Sequence, residues 1–309
     1  MQCAFRRYTV LVTAMLGFTA GPLSAGDPSF EFLRQEVGSR PAALGGAFSP
    51  VLGDVQSIFY NPAGLGAIDS PRGMVNYTDQ LLDFWTMVGA LAYPVKDYGT
   101  LGVGLHYLSY GDFEGRDQFG TSTGQFAAGD FALTTSFGRA LTQNLFGGIG
   151  LKYIRSSIDD YTSDAFAIDL GGTLRLPAYN FNLALALVNL GRQRNAFIDT
   201  REDVPGHLKI GLSKGLSHAP IMLFTEFRRF NHGDVQVAGG VEVEIQKIVQ
   251  LRAGYNSNGK DQKFGLSKDN LAGFSFGGGL QYRNFLIDYT LSVAGGIGYQ
   301  NSFTFSSFL

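Results

Sequence analysis

From Arg72 onward the chain alternates apolar and polar residues with period two, one segment after another. Successive side chains on a strand point to opposite faces, so this rhythm commits the chain to half-buried sheet. Val235–Ile245, VQVAGGVEVEI, sets Val235, Val237, Val241, Val243 and Ile245 against Gln236, Ala238, Gly240, Glu242 and Glu244. FSFGGGLQYR sets Phe274, Phe276, Leu280 and Tyr282 against Ser275, Gly277, Gly279, Gln281 and Arg283. FLIDYTLSV sets Phe285, Ile287, Tyr289, Leu291 and Val293 against Leu286, Asp288, Thr290 and Ser292. AFAIDLGGTLRL repeats the pattern with Phe166, Ile168, Leu170, Leu174 and Leu176.

Roughly 14 such segments follow one another, most of about ten residues. They start near Arg72, Phe84, Gly99, Gln125, Asn144, Asp164, Asn180, Gly206, Pro220, Asp234, Ile248, Leu271, Asn284 and Gln300. An even count, with apolar residues on one face and small or polar residues on the other, predicts an all-β fold. The expectation is a 14-stranded antiparallel transmembrane β-barrel with an N-terminal plug segment. Closure satisfies every backbone group without water, which is the condition for crossing lipid. No apolar run after the N-terminus reaches the roughly 18 residues of a membrane helix. A large soluble β-sandwich would share the alternation. Charged residues make up only 16% of the chain, below the usual level of about 25%. Together with aromatic residues near the strand ends, that favours the barrel. The closing NSFTFSSFL reads as a last strand with an aromatic end.

Residues 1–25 read as a secretory signal. Arg6 and Arg7 form a basic start, Tyr8 to Ala20 an apolar stretch, and Ala25 a small residue before the cut. The only cysteine, Cys3, lies ahead of that stretch. Loss of Arg6 and Arg7 leaves 22 basic against 26 acidic residues, a net charge of −4. Nucleic-acid partners call for a strongly basic surface, so none is expected.

Residues 26–71 do not alternate and are read as a plug or hatch inside the barrel, which itself occupies 72–309. In SRPAALGGAF, Pro41 can open a helical turn that Gly45 and Gly46 end. In SIFYNPAGLG, the Asn61 side chain can cap a turn that Pro62 begins. Asn61, Pro62, Ala63 and Gly64 are therefore read as a structural seat for the plug. Glycine weakens a strand. Its recurrence at inward positions (Gly148, Gly150, Gly171, Gly211, Gly240, Gly277, Gly279) leaves room for such an occupant.

The same alternation turns charges inward: Lys152, Asp169, Lys209, Glu226, Arg228, Glu242, Glu244, Arg252, Arg283 and Asp288. Charges in a narrow barrel are costly unless paired or wet. The expectation is a lumen cross-linked by ion pairs around the plug, closer to a sealed anchor than to an open pore. The longest connections, 111–124, 156–163, 193–204 and 257–270, all follow odd-numbered strands and so emerge on one side. Longer loops of such barrels face outward.

Enzyme chemistry finds little support. His106, His207, His218 and His232 are scattered, and the GxSxG matches at Gly120–Gly124, Gly211–Gly215 and Gly273–Gly277 have no helical stretch after them to make a nucleophile elbow. His218, in SHAP, reads as a turn residue. GDFEGRDQ, 111–118, lacks the acid spacing of a calcium loop. No cofactor or metal site is expected.

The stretch FLRQEVGSRPAALGGAFSPVLGDVQSIFYNPAGL, Phe32 to Leu65, resembles the N-terminal signature of PorV/PorQ outer-membrane proteins, which belong to the wider FadL-like barrels. Tyr110–Leu133, LVNLGRQ (Leu187–Gln193), LSKGLSHAP (Leu212–Pro220), LRAGYN (Leu251–Asn256), GFSFGGGL (Gly273–Leu280) and AGGIGYQNSF (Ala294–Phe303) extend the resemblance across the mature chain. It is closest to the PorQ branch of the family. The short RRFNHGD connection departs from that branch, whose members often carry more sequence there.

The resemblance implies a non-enzymatic anchor and adaptor in the outer membrane, serving the surface attachment complex of type IX protein secretion. Its partners would be outer-membrane lipid and PorZ-like, PorU-like and PorV-like proteins, met at the rim of long loops. The alternative, on the same fold and the same Asn-Pro-Ala turn, is a FadL-like channel for hydrophobic small molecules. Fold alone does not separate the two.

Overall fold

The computed structural model describes residues 30–81, 83–197, 201, 203–262 and 267–308. The signal reading of residues 1–25 and the first few plug residues lie outside this set.

Fourteen antiparallel strands close into one barrel, each paired with its neighbours in sequence and β1 with β14. They are β1 (Arg72–Asp79), β2 (Trp85–Val95), β3 (Gly99–Arg116), β4 (Ser122–Ala140), β5 (Leu145–Ile158), β6 (Tyr161–Leu176) and β7 (Phe181–Asn195). The second half comprises β8 (His207–Gly215), β9 (Ile221–Phe230), β10 (Val235–Ile245), β11 (Val249–Asn256), β12 (Phe274–Tyr282), β13 (Phe285–Val293) and β14 (Tyr299–Phe308). The strand count and the starting points follow the alternation.

The outer wall is apolar. Val75, Leu91, Leu151 and Ile287 are all more than half exposed on it. Aromatic rings gather toward both ends, as at a bilayer's two interfaces. At one end Trp85 lies 5.4 Å from Tyr107 and 6.4 Å from Tyr77. Toward the other, Phe285 stacks on Phe305 at 5.4 Å.

Three expectations need correction. Residues 156–163 are not a long connection, since β5 and β6 pair up to Ile158 and Tyr161 and leave only Asp159 and Asp160 as a turn. Residues 111–124 are not a loop either: β3 and β4 run on as a paired hairpin to Arg116 and Ser122, held by Phe113 stacked on Phe126 at 5.4 Å. A register shift between Ser109 and Asp112 marks a bulge where this extension begins. Arg283 does not face the lumen. It sits exposed in the tight turn between β12 and β13, at φ 53°, with its guanidinium 5.4 Å from the centre of the Tyr282 ring. The alternation ends at Tyr282, because a turn residue of left-handed conformation breaks the pleat.

Inside the barrel, the N-terminal segment folds as short turns. A 3-10 turn spans Glu31–Arg34, α1 spans Ser39–Ala43, α2 spans Ser57–Tyr60, and a second 3-10 turn spans Pro62–Ala67. Gly45 and Gly46 follow α1 with φ of 64° and 87°, the left-handed conformation that ends helices. Phe32, Leu44, Phe48, Ile58 and Leu65 are among the largest fully buried side chains of the molecule.

Candidate functional site

The plug and the wall around it form the one region where side chains converge. They meet in two different ways.

Against β3–β6 the contact is apolar and backbone-close. α2 and the Pro62–Ala67 turn press on inward glycines. A Cβ at Gly148 would lie 2.3 Å from the Pro62 carbonyl carbon, and one at Gly171 would lie 1.9 Å from Asn61 Oδ1. Gly102 and Gly104 make the same room for Ile58 and Phe59, and Gly138 for the Pro62 carbonyl oxygen. Asn61 holds the turn: its Oδ1 accepts from Ala63 N at 3.1 Å, and its Nδ2 donates to Ser49 O at 2.8 Å and Thr173 Oγ1 at 3.0 Å. Pro62, Ala63 and Gly64 are buried beside it.

Against β8–β13 residues 43–49 come as close to Gly211, Gly240, Gly254 and Gly277, and ion pairs are added. Arg40 of α1 bonds Glu242 on β10 and Asp54 of the plug, both at 2.8 Å. Arg252 on β11 carries the chain onward, to Glu242 at 2.6 Å and Asp288 on β13 at 2.5 Å. A second cluster centres on Arg228, 2.7 Å from Glu226 and 2.6 Å from Glu36, with Lys209 at 3.8 Å from Glu226. Lys152 pairs with Asp169 at 3.2 Å where β6 and β7 shift register. There Asn189, at φ 57°, donates its backbone N–H to Asp169 at 2.7 Å, and its side chain accepts from Lys152. Glu244 stands apart at the mouth opposite the long connections, exposed and outside the ion-pair chain.

These clusters also draw on charges of the plug. Glu36, Arg40 and Asp54 of the plug complete them, and reading the strands by alternation does not reach those three. The available signal was the presence of charged residues in a segment otherwise built of small and apolar ones. His106 and His207 also turn into the lumen, the first against Phe32 at 5.1 Å and the second against Phe230 at 4.7 Å. His218 is exposed in the turn between β8 and β9.

Three spaces border the plug. A chamber of about 30 Å³, one water in size, lies between Phe59, Tyr60, Lys152, Lys209 and Arg228. A vestibule of about 450 Å³ opens at the end bearing the long connections. A pocket of about 230 Å³, with Arg72, Gln250 and Arg252 on its walls, opens at the other end. On the outer wall, an apolar recess of about 420 Å³ lies over the β6–β7 shift, between Leu133, Leu151, Tyr153, Phe166, Ile168 and Leu190. Lys152 borders both this recess and the inner chamber. At the vestibule rim, burial pushes the Glu31 carboxyl above its ordinary value against the pull of Arg34.

No family model and no curated relative matches the sequence. Solved structures do match the fold. The TodX deltaS2S3 mutant monoaromatic hydrocarbon channel superposes with a TM-score of 0.65 at 13% identity, over 91% of this chain and 100% of that one. The Ralstonia pickettii toluene transporter TbuX gives 0.61 at 13% identity, over 88% and 98%. A Pseudomonas aeruginosa FadL homologue gives 0.53 at 11%, over 87% and 97%. The fold is thus that of FadL-type 14-stranded barrels.

Proposed function

We propose that this chain is an outer-membrane channel for small hydrophobic molecules, built on a plugged FadL-type barrel. The observation that carries this reading is the match of the whole plugged architecture to hydrocarbon channels. It covers 91% of the chain, more than residues 72–309 alone supply. The apolar recess over the β6–β7 shift supports it. That recess and the inner chamber lie back to back across the wall at Lys152. The lumen itself is closed in this conformation, so passage requires the plug or the shifted strand to move.

Expression in a Gram-negative host without such a channel, followed by uptake of labelled toluene into whole cells, tests the reading. Saturable uptake that depends on the chain supports it. Folded barrel in the outer membrane with no gain in uptake overturns it.

A second reading draws on the residues of Phe32–Leu65 and on the ion-paired lumen. It is the PorQ-like anchor and adaptor of type IX secretion, with PorZ-like, PorU-like and PorV-like partners at the rim. A plug tied to the wall by buried ion pairs suits an anchor better than a pore. Affinity purification from native outer membranes decides this: recovery of such surface proteins supports the adaptor, and a barrel that purifies alone counts against it.

A further inference from the structure

The vestibule has a chemistry that neither hydrophobic passage nor anchoring uses. Its volume of about 450 Å³ lies within the range of small-molecule sites, roughly 300–1,000 Å³. It is cut between β10–β14, β1 and the plug residues Glu31–Glu36.

Its charges are spent on one another. Arg34 pairs with Glu31 at 3.3 Å and Asp234 at 3.1 Å, and Glu36 pairs with Arg228 at 2.6 Å. What faces the space is neutral and polar: the amides of Gln35, Gln80, Gln236, Gln300, Asn256 and Asn258. Short hydrogen-bonded chains fix their orientation. Gln300 Nε2 donates to Gln80 Oε1 at 2.7 Å, and Gln80 Nε2 to Gln35 Oε1 at 3.2 Å. Across the space Gln236 Nε2 donates to Asn258 Oδ1 at 3.1 Å. Each amide carries two donor hydrogens and two acceptor lone pairs, so Gln236 and Gln300, with one bond each, keep capacity free, while Gln80 and Asn256 make three each. Ser275, only 3% exposed on this wall, has a hydroxyl oxygen with no hydrogen-bond partner. Buried polar atoms are normally paired, and an orphan in a cavity wall is short of a partner.

The floor continues in the same character. Ser302 lines the vestibule and accepts from Ser39 Oγ at 3.1 Å, and Thr304 beneath it accepts from Ser39 N at 2.9 Å. Glu31, Glu36 and Asp234 face the lining's single arginine, Arg34, so the lining repels an anion. An apolar guest would bury the amides without partners. A hydroxyl both donates and accepts, as an amide pair does. We propose that the vestibule binds a neutral, hydroxyl-rich ligand of the sugar class, one or two rings in size, presented from the side of the long connections.

Calorimetric titration of the full chain, purified in an amine-oxide detergent that carries no sugar headgroup, tests this with maltose and sucrose as probes. Saturable one-site heat is expected with at least one of them, and none with sodium sulfate. Ser275→Val and Gln236→Leu should each weaken binding roughly fivefold to tenfold, the loss of one neutral hydrogen bond. Folding of each variant is judged by heat-dependent gel mobility, and either variant alone suffices. No saturable heat with either sugar overturns the proposal, as does unchanged affinity in the folded variants.

Discussion

Both halves of the plug press on bare glycine backbone, but only one adds ion pairs to the wall. Residues 57–68 meet β3–β6 through apolar side chains and bare glycine backbone, with Leu65, Ile58 and Ala63 fully buried. Residues 36–54 meet β8–β14 through ion pairs and hydroxyl bonds, from Arg40–Glu242 to Ser39–Thr304, besides close approach to Gly211, Gly240, Gly254 and Gly277. Close-packed apolar contact has no substitute in water, so the first half can leave the wall only by exposing that surface. Hydrogen bonds and ion pairs exchange with water at small net cost when water can reach them. Vestibule and opposite pocket both border the second half. Any opening of the lumen should therefore begin along β12–β14 and β1, with the β3–β6 face as the fixed side.

The largest expected effect comes from the glycine face. Gly148→Val puts a side chain where a Cβ alone already meets the Pro62 carbonyl at 2.3 Å. Backbone on both sides cannot yield by a rotamer change, so the penalty should exceed the roughly 1–3 kcal/mol of ordinary overpacking. The plug half at 57–68 should unseat. Limited proteolysis and hydrogen exchange of residues 30–71 in the folded barrel report it. A variant with wild-type protection would mean that this face is not rigid.

Next is the ionic face. Arg252→Met leaves Asp288 without its arginine and Glu242 with Arg40 alone, in a site where Asp288 is fully buried. Breaking a buried pair from one side costs about 3–5 kcal/mol. Joint replacement of Arg252, Glu242 and Asp288 by apolar residues of similar volume should recover much of it. The measurement is the urea or guanidinium midpoint of unfolding. If the triple variant is no better than the single, the charges are held for contacts other than each other. Asn61→Ala lies between the faces. It removes three hydrogen bonds at the seat and leaves Ser49 O and Thr173 short of a donor, a loss of about 1–3 kcal/mol. Faster exchange at 61–67 with little change at 39–46 is the expected pattern.

The barrel was legible because period two is a direct image of the pleat, repeated fourteen times with turn residues between. Glycines on the inward face also spoke plainly: Gly148, Gly171, Gly211, Gly240 and Gly277 all stand where plug atoms approach. Alternation failed where the pleat itself fails. Arg283 was set inward by parity, but parity stops at a turn. The hairpin of β3 and β4 was taken for a loop, since beyond the membrane its faces are wet on both sides and lose their contrast. The plug's share of the site was hidden for a different reason. Glu36 and Arg40 meet wall residues 192 and 202 positions away in sequence, with Asp54 joined through Arg40, and no local pattern encodes a contact of that separation.

The smallest effect probes the hydroxyl seam, where the two faces differ most in how they can let go. Thr304→Val keeps the shape of the side chain and removes the acceptor for Ser39 N at 2.9 Å and for Asn76 Nδ2 at 3.0 Å, and the donor to Ser39 Oγ. Ser302 and Thr290 still hold the same residue, at 3.1 Å and 2.7 Å. The loss should therefore lie toward the low end of about 1–3 kcal/mol, the cost of a buried donor left unsatisfied. Its location is the informative part. Exchange should quicken at 39–46 and stay unchanged at 57–68, because no apolar contact of the glycine face has been touched. Ser39 is fully buried, so faster exchange there means that water enters along this seam. Equal loosening of both halves would show one cooperative plug and would end the distinction between a fixed and a yielding side.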